Sequence, residues 1–146
     1  MADSKIGTVA VMFTDLVGST ELRLRIGEDA AEVIRSQHDV VLADAVTSNH
    51  GRVVKHLGDG IMATFASCTH ALSAAVAVQQ AVDVGNRRSI AERLAVRIGV
   101  SVGDISFDGD DCFGLAVVEA QRLEARTRYD TEQPATITEL VGGIRV

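Results

Sequence analysis

Two aspartates occupy positions from which carboxylates can do chemistry. Asp15 ends the apolar run Val9-Ala10-Val11-Met12-Phe13-Thr14-Asp15 and is followed by Leu16-Val17-Gly18-Ser19-Thr20. Asp59 stands between glycines in Lys55-His56-Leu57-Gly58-Asp59-Gly60. Carboxylates at strand ends are hard oxygen ligands suited to divalent cations such as Mg²⁺ or Mn²⁺. The Gly-Ser-Thr helix start beside Asp15 would turn backbone N–H groups toward phosphate. Together they indicate metal and nucleotide chemistry. Each also has a plainer role: Asp59 suits a turn, and Ser19 or Thr20 suits a helix cap.

The elements that must position these acids follow from periodicity. Thr8–Phe13 reads as a strand, and its near-continuous apolar run implies cover on both faces. A helical stretch starts at Ser19 or Thr20, is interrupted at Gly27, and resumes with Ala30, Val33, Ile34, His38, Val41, Leu42 and Ala45 on helical spacing. Asn49-His50-Gly51 ends it. Two strand-like runs flank Gly58-Asp59-Gly60, the pattern of a β-hairpin, with Asp59 at its tip. A second helix spans about Ser67 to Ala81, a long strand Leu94–Gly103, a helix about Phe113 to Arg126, and a last short strand Ala135–Thr138. The order β-α-β-β-α-β is that of the ferredoxin-like fold: an α+β domain with an antiparallel sheet and helices on one face. In that topology the first strand neighbours the hairpin, so Asp15 and Asp59 reach one edge of the sheet.

Composition narrows the function. With 146 residues the chain predicts a single domain, residues 1–146. Hydrophobic residues make up 47% and aromatics only 3%, so the core is aliphatic. A net charge of −6, with no basic stripe interleaved by aromatics, argues against nucleic-acid binding. No apolar window is long enough for a membrane span or a signal peptide. Two cysteines, Cys68 and Cys112, do not make a disulfide framework or zinc motif, which fits a reduced, cytoplasmic setting. No histidine has metal-ligand spacing.

Four blocks in order carry a family resemblance: Phe13-Thr14-Asp15-Leu16-Val17-Gly18-Ser19-Thr20, Lys55-His56-Leu57-Gly58-Asp59-Gly60, Arg97-Ile98-Gly99-Val100, and Asp111-Cys112-Phe113-Gly114-Leu115-Ala116-Val117 closing on Arg122-Leu123. The chain resembles the catalytic domains of class III nucleotidyl cyclases, bacterial adenylate cyclases above all. The resemblance implies a homodimer that converts ATP to cyclic AMP and pyrophosphate at its subunit interface. It implies Asp15 and Asp59 as ligands of two divalent cations, Mg²⁺ or Mn²⁺, with the Leu16 carbonyl as an extra ligand. Val17, Gly18, Ser19 and Thr20 then face the β- and γ-phosphates, and Arg97 the triphosphate. Lys55 and Asp111 match the purine-reading pair: lysine donates to adenine N1 and aspartate accepts from the N6 amino group. Guanine presents the reverse pattern, so this pair would reject it. Arg122 matches the arginine that stabilises charge on the α-phosphate. Outside the resemblance Lys55 reads as a solvated strand residue, Asp111 as a helix N-cap, and Arg97 and Arg122 as surface cations.

Two departures qualify the match. Four residues before Arg122 the family has a ribose-orienting asparagine, and here the position is Val118. Loss of one preorganised donor costs on the order of 10²-fold in rate, so the expected enzyme is slow. The C-terminal end is shorter than usual, and Lys55 is the last lysine, so the family's late phosphate-binding lysine is missing; Arg126, Arg128 and Arg145 are equal candidates to replace it. Since one sheet edge cannot surround a small ligand with all six side chains, Lys55, Asp111 and Arg122 are expected from the facing copy of a two-fold dimer. The alternative is a catalytically inactive cyclase-like module that binds nucleotide or pairs with a partner. A diguanylate cyclase shares the topology, but its Gly-Gly-Asp/Glu-Glu-Phe hairpin is absent.

Overall fold

The computed structural model describes residues 5–88, 93–109 and 111–126. Its elements run β1 (Lys5–Leu16), α1 (Ser19–Ile26), α2 (Glu28–Ser48), β2 (Arg52–His56), β3 (Ile61–Phe65), α3 (Cys68–Arg88), β4 (Val96–Asp108), β5 (Asp111–Phe113) and α4 (Leu115–Arg126). The strands form one antiparallel sheet in the order β2-β3-β1-β4-β5. Its first four strands and their helical connections follow the expected α+β, ferredoxin-like plan. β1 lies at the centre, pairing Phe13 with Met62 of β3 and Asp15 with Arg97 of β4.

The expected helical layer, α2 and α3, covers one face of the sheet. Its core joins Met12, Ile61, Phe65, Ile98 and Val100 to Leu42, Val46, Ala75 and Val78. Alternation sends Val11 and Phe13 of β1 to the opposite face, where they are almost fully buried. There α4 supplies the cover, with Ala116 and Ala120 packed in a cluster with Met62, Ile105 and Cys112. The seat is tight. A Cβ at Gly99 would stand 3.1 Å from Glu124 Cα and would collide with Ala120 O and Glu124 N. Glycine there lets α4 rest directly on the β4 backbone.

Local boundaries differ from the periodicity in two places. Neither Ser19 nor Thr20 caps α1; its N-cap is Gly18 at φ 70°, and the Ser19 hydroxyl donates to Asp59 instead. The third helix of the pattern starts at Leu115, because Asp111–Phe113 pairs with Ser106–Asp108 as β5. Asp111 is therefore a strand residue, not a helix N-cap. The short strand read at Ala135–Thr138 lies outside the described residues. No described helix is long and apolar enough to cross a membrane.

Candidate active site

The segments that carry Asp15 and Asp59 meet through backbone packing. The hairpin between β2 and β3 closes with Leu57 N–H donating to Gly60 O at 2.8 Å, and Gly58 takes φ 75°. Its tip is seated on the end of β1. Ile61 N–H donates to the buried Thr14 hydroxyl at 3.1 Å, and a Cβ at Gly60 would stand 2.5 Å from the Thr14 carbonyl carbon and 3.1 Å from Asp15 N. No residue but glycine fits that approach. Ser19, the first residue of α1, donates to Asp59 Oδ2 from above. The hairpin that carries Asp59 thus rests on the strand end that carries Asp15.

α1 opens beside them. Val17 N–H donates to Ala95 O at 2.9 Å, which commits that amide to the sheet. The first helical bond runs from Leu22 N–H to Gly18 O, so Gly18, Ser19 and Thr20 precede the hydrogen-bonded amides of the helix. Of the four expected phosphate-facing amides, that of Val17 is spent within the fold. Leu16 is buried and pairs with Val96.

Arg97, across from Asp15 in the ladder, pairs its Nη2 with Asp15 Oδ2. The same guanidinium lies against Glu124 of α4, Nε to Oε1 at 3.3 Å. Glu124 is the most enclosed of the three, with its side chain 12% exposed. Burial pushes its carboxyl pKa up, and the negative charge of Asp15 adds to the rise while Arg97 opposes it. The sequence reading missed Glu124. Its signal was spacing: it continues the Ala116, Ala120 stripe at four-residue intervals, and a carboxylate on a buried stripe needs a partner.

Lys55 and Asp111 come together although β2 and β5 are the two edges of the sheet. Lys55 Nζ lies 3.1 Å from Asp111 Oδ1 and 3.3 Å from Oδ2. Asp111 also accepts the Cys112 N–H at 2.8 Å. That amide, followed by Lys55, holds the Asp111 carboxyl below the usual range. Arg122 and Val118 sit one turn apart on the exposed side of α4. Leu115 shares that side, 68% exposed, beside Phe113 at 54%. Arg128 and Arg145 lie outside the described residues, and Arg126 is the last residue of α4.

The donor set fits hard divalent cations. Among the described residues no three His, Cys, Asp or Glu side chains converge to cage an ion alone. Carboxylates on two segments beside a helix start suit an ion that keeps water and takes its remaining ligands from phosphate oxygens. An antiparallel sheet with one acid at the end of β1, another at the tip of the hairpin seated on it, a helix start beside them and a lysine–aspartate pair across the sheet defines a nucleotidyl cyclase type of domain. Comparison with known proteins agrees. The model of the adenylate and guanylate cyclase catalytic domain matches residues 1–130, and the chain belongs to that family.

A putative adenylate cyclase 3 of Rhizobium meliloti is 35% identical over 117 residues, covering 80% of this chain and 20% of that protein. An adenylate cyclase of Streptomyces coelicolor is 30% identical over 115 residues, 79% of this chain and 29% of its own length. The chain therefore spans less than a third of these curated relatives. Among solved structures, an adenylate/guanylate cyclase/hydrolase of Silicibacter pomeroyi superposes with a TM-score of 0.75 at 30% identity, over 86% of this chain and 74% of that one. The adenylyl cyclase CyaB of P. aeruginosa shares the fold, with a TM-score of 0.75 at 22% identity over 84% and 74% of the two chains.

Proposed function

We propose that this domain is an adenylate cyclase that forms 3′,5′-cyclic AMP and pyrophosphate from ATP in a homodimer. The observation that carries the reading is the seat of the hairpin tip on the end of β1, which brings the segment bearing Asp59 onto the segment bearing Asp15. Divalent cations bound there would supply Lewis acidity to the ribose 3′-hydroxyl and charge neutralisation to the leaving pyrophosphate. Asp15 and Asp59 bind them, and Gly18, Ser19 and Thr20 orient the β- and γ-phosphates with backbone N–H groups. The 3′-oxygen loses its proton, its bond to the α-phosphorus forms, and the bond from that phosphorus to the pyrophosphate oxygen breaks.

Arg122 of the facing copy meets the charge that develops on the α-phosphate. Lys55 and Asp111, already paired, read adenine N1 and N6. Support for adenine over guanine comes from this pair and from the relatives named adenylate cyclase. Support for the dimer comes from the exposed Phe113, Leu115 and Val118 around Arg122, an apolar face that a second copy would cover. The second reading, an inactive cyclase-like module, rests on Val118, an aliphatic side chain at the place of the ribose-orienting asparagine.

Incubation with Mn²⁺ and ATP, scored for cyclic AMP, decides between the two. The enzyme reading expects product whose rate per chain falls on dilution through the dimer constant and which disappears in Asp15→Ala. No product at any protein concentration sinks it.

A further inference from the structure

Arg97 faces two carboxylates at once, and its contacts with them are unequal. Nη2 is committed to Asp15. On the other side Nε and Glu124 Oε1 are 3.3 Å apart, close enough for an ion pair, yet both atoms are buried without a completed hydrogen bond. A buried donor and acceptor left this way cost stability that a small movement would recover. One such movement turns the guanidinium off Asp15 and onto Glu124. We propose that Glu124 is a positioning residue: it receives Arg97 when a divalent cation claims the Asp15 carboxylate, so that Arg97 exchanges its carboxylate partner and is freed to face phosphate.

The inference rests on Asp15 being a metal ligand and adds how the ligand is released. Arg97 in its present position is a competitor, since a cation that takes Asp15 Oδ2 displaces the guanidinium from it. Glu124 lowers that cost by offering the guanidinium a second carboxylate on the rigid α4 scaffold, where Gly99 holds the helix backbone against β4. Without Glu124 the displaced Arg97 would have to stay near the incoming ion or go to solvent.

The test is Mn²⁺ affinity of the nucleotide-free protein, read from the loss of the free-ion paramagnetic resonance signal. Arg97→Gln, which removes the competitor, is expected to tighten binding severalfold. Glu124→Gln is expected to weaken it roughly fivefold or more in the wild-type background, and at least about fivefold less in the Arg97→Gln background. Glu124→Asp keeps the charge but withdraws it by one methylene, and is expected to follow Glu124→Gln; it also serves if the latter does not fold. Coupling smaller than that overturns the exchange, because Glu124 then acts on the ion directly or on the fold alone. If Asp15→Asn leaves Mn²⁺ binding unchanged, the metal-ligand reading itself has failed; if it abolishes binding while coupling is absent, only the exchange has.

Discussion

Gly60→Ala tests whether the meeting of the two acids depends on backbone contact. The added Cβ would stand 2.5 Å from the Thr14 carbonyl carbon. Carbon atoms rest at about 3.5 Å or more, and the Thr14 oxygen lies nearer still, so the hairpin tip must lift from β1 by at least about 1 Å. Overpacking of this kind costs about 1–3 kcal/mol, which in a chain of this length lowers Tm by roughly 2–4 °C for each kcal/mol. The functional loss is expected to be larger than the stability loss, since a 1 Å misplacement at a reacting centre costs on the order of 10²-fold. Gly58→Ala is the control. Gly58 has φ +75° but nothing within 4 Å of its would-be Cβ, so alanine there strains the turn by roughly 1–2 kcal/mol without opening the gap. Cyclic AMP formation and thermal unfolding of both variants separate the effects. If Gly60→Ala keeps wild-type activity within about threefold while folded, the contact does not set the site.

Val118→Asn restores a donor to the exposed side of α4 and is expected to raise kcat on the order of tenfold or more, with little change in Tm; an unchanged kcat would show that the valine does not limit turnover. Asp111→Asn replaces a group that only accepts with one that can also donate to guanine O6, and removes the charge that partners Lys55, so discrimination between ATP and GTP should fall by at least about tenfold, measured as the ratio of kcat/KM values. An unchanged ratio would remove this pair from base recognition. His38 is almost fully buried, and burial lowers its pKa against the opposing charges of Asp39 and Asp59. The unfolded chain then binds the proton more readily than the folded one, so the stability due to neutral His38 is complete above about pH 6.5 and is lost as pH falls toward the folded value. His38→Gln should flatten that part of the stability profile in thermal melts from pH 7.5 to 5; a profile of unchanged slope refutes the assignment.

The parts of this fold that were legible in the sequence are those encoded locally. Alternation in β1, helical spacing in α2 and α3, and the Gly58-Asp59-Gly60 turn each act over a few residues, and their order gave the antiparallel sheet. The apolar character of β1 on both faces also required a second cover. What supplies that cover was not readable, because Ala116 and Ala120 are small and α4 owes its place to the missing side chain at Gly99. β5 was hidden for a related reason: three residues, Asp111-Cys112-Phe113, carry no periodicity and become a strand only through pairing with β4. At the site, Asp15 and Asp59 stood out because turn and strand-end chemistry marks them. Glu124 did not, since its meaning depends on Arg97, which β4 delivers from 27 positions away. Ser19 looked like a cap, and tertiary contact with Asp59 took its hydroxyl instead.

The two sides of α4 serve different subunits under the proposed dimer, and this couples the sites. Ala116, Ala120 and Glu124 follow one another at four-residue steps on the side packed against the sheet, and Glu124 lies against Arg97, the partner of Asp15 in the same chain. Leu115, Val118 and Arg122 follow at three- and four-residue steps on the exposed side, which the dimer turns toward the partner's substrate. A shift of α4 along β4 therefore cannot move Arg122 without also moving Glu124. Because the helix backbone rests on Gly99 with no side chain between, such a shift meets backbone rather than a compressible side chain, and small displacements are resisted. Gly99→Ala, which pushes α4 outward, is expected to weaken Mn²⁺ binding in its own subunit and α-phosphate stabilisation in the partner's. Mixed dimers of Gly99→Ala with Asp15→Ala chains separate the two losses. In such a dimer the one intact metal site belongs to the Gly99→Ala chain and meets an unshifted Arg122, so activity per intact site beyond that of the Gly99→Ala homodimer, which has two, supports the coupling, and activity per site no higher refutes it.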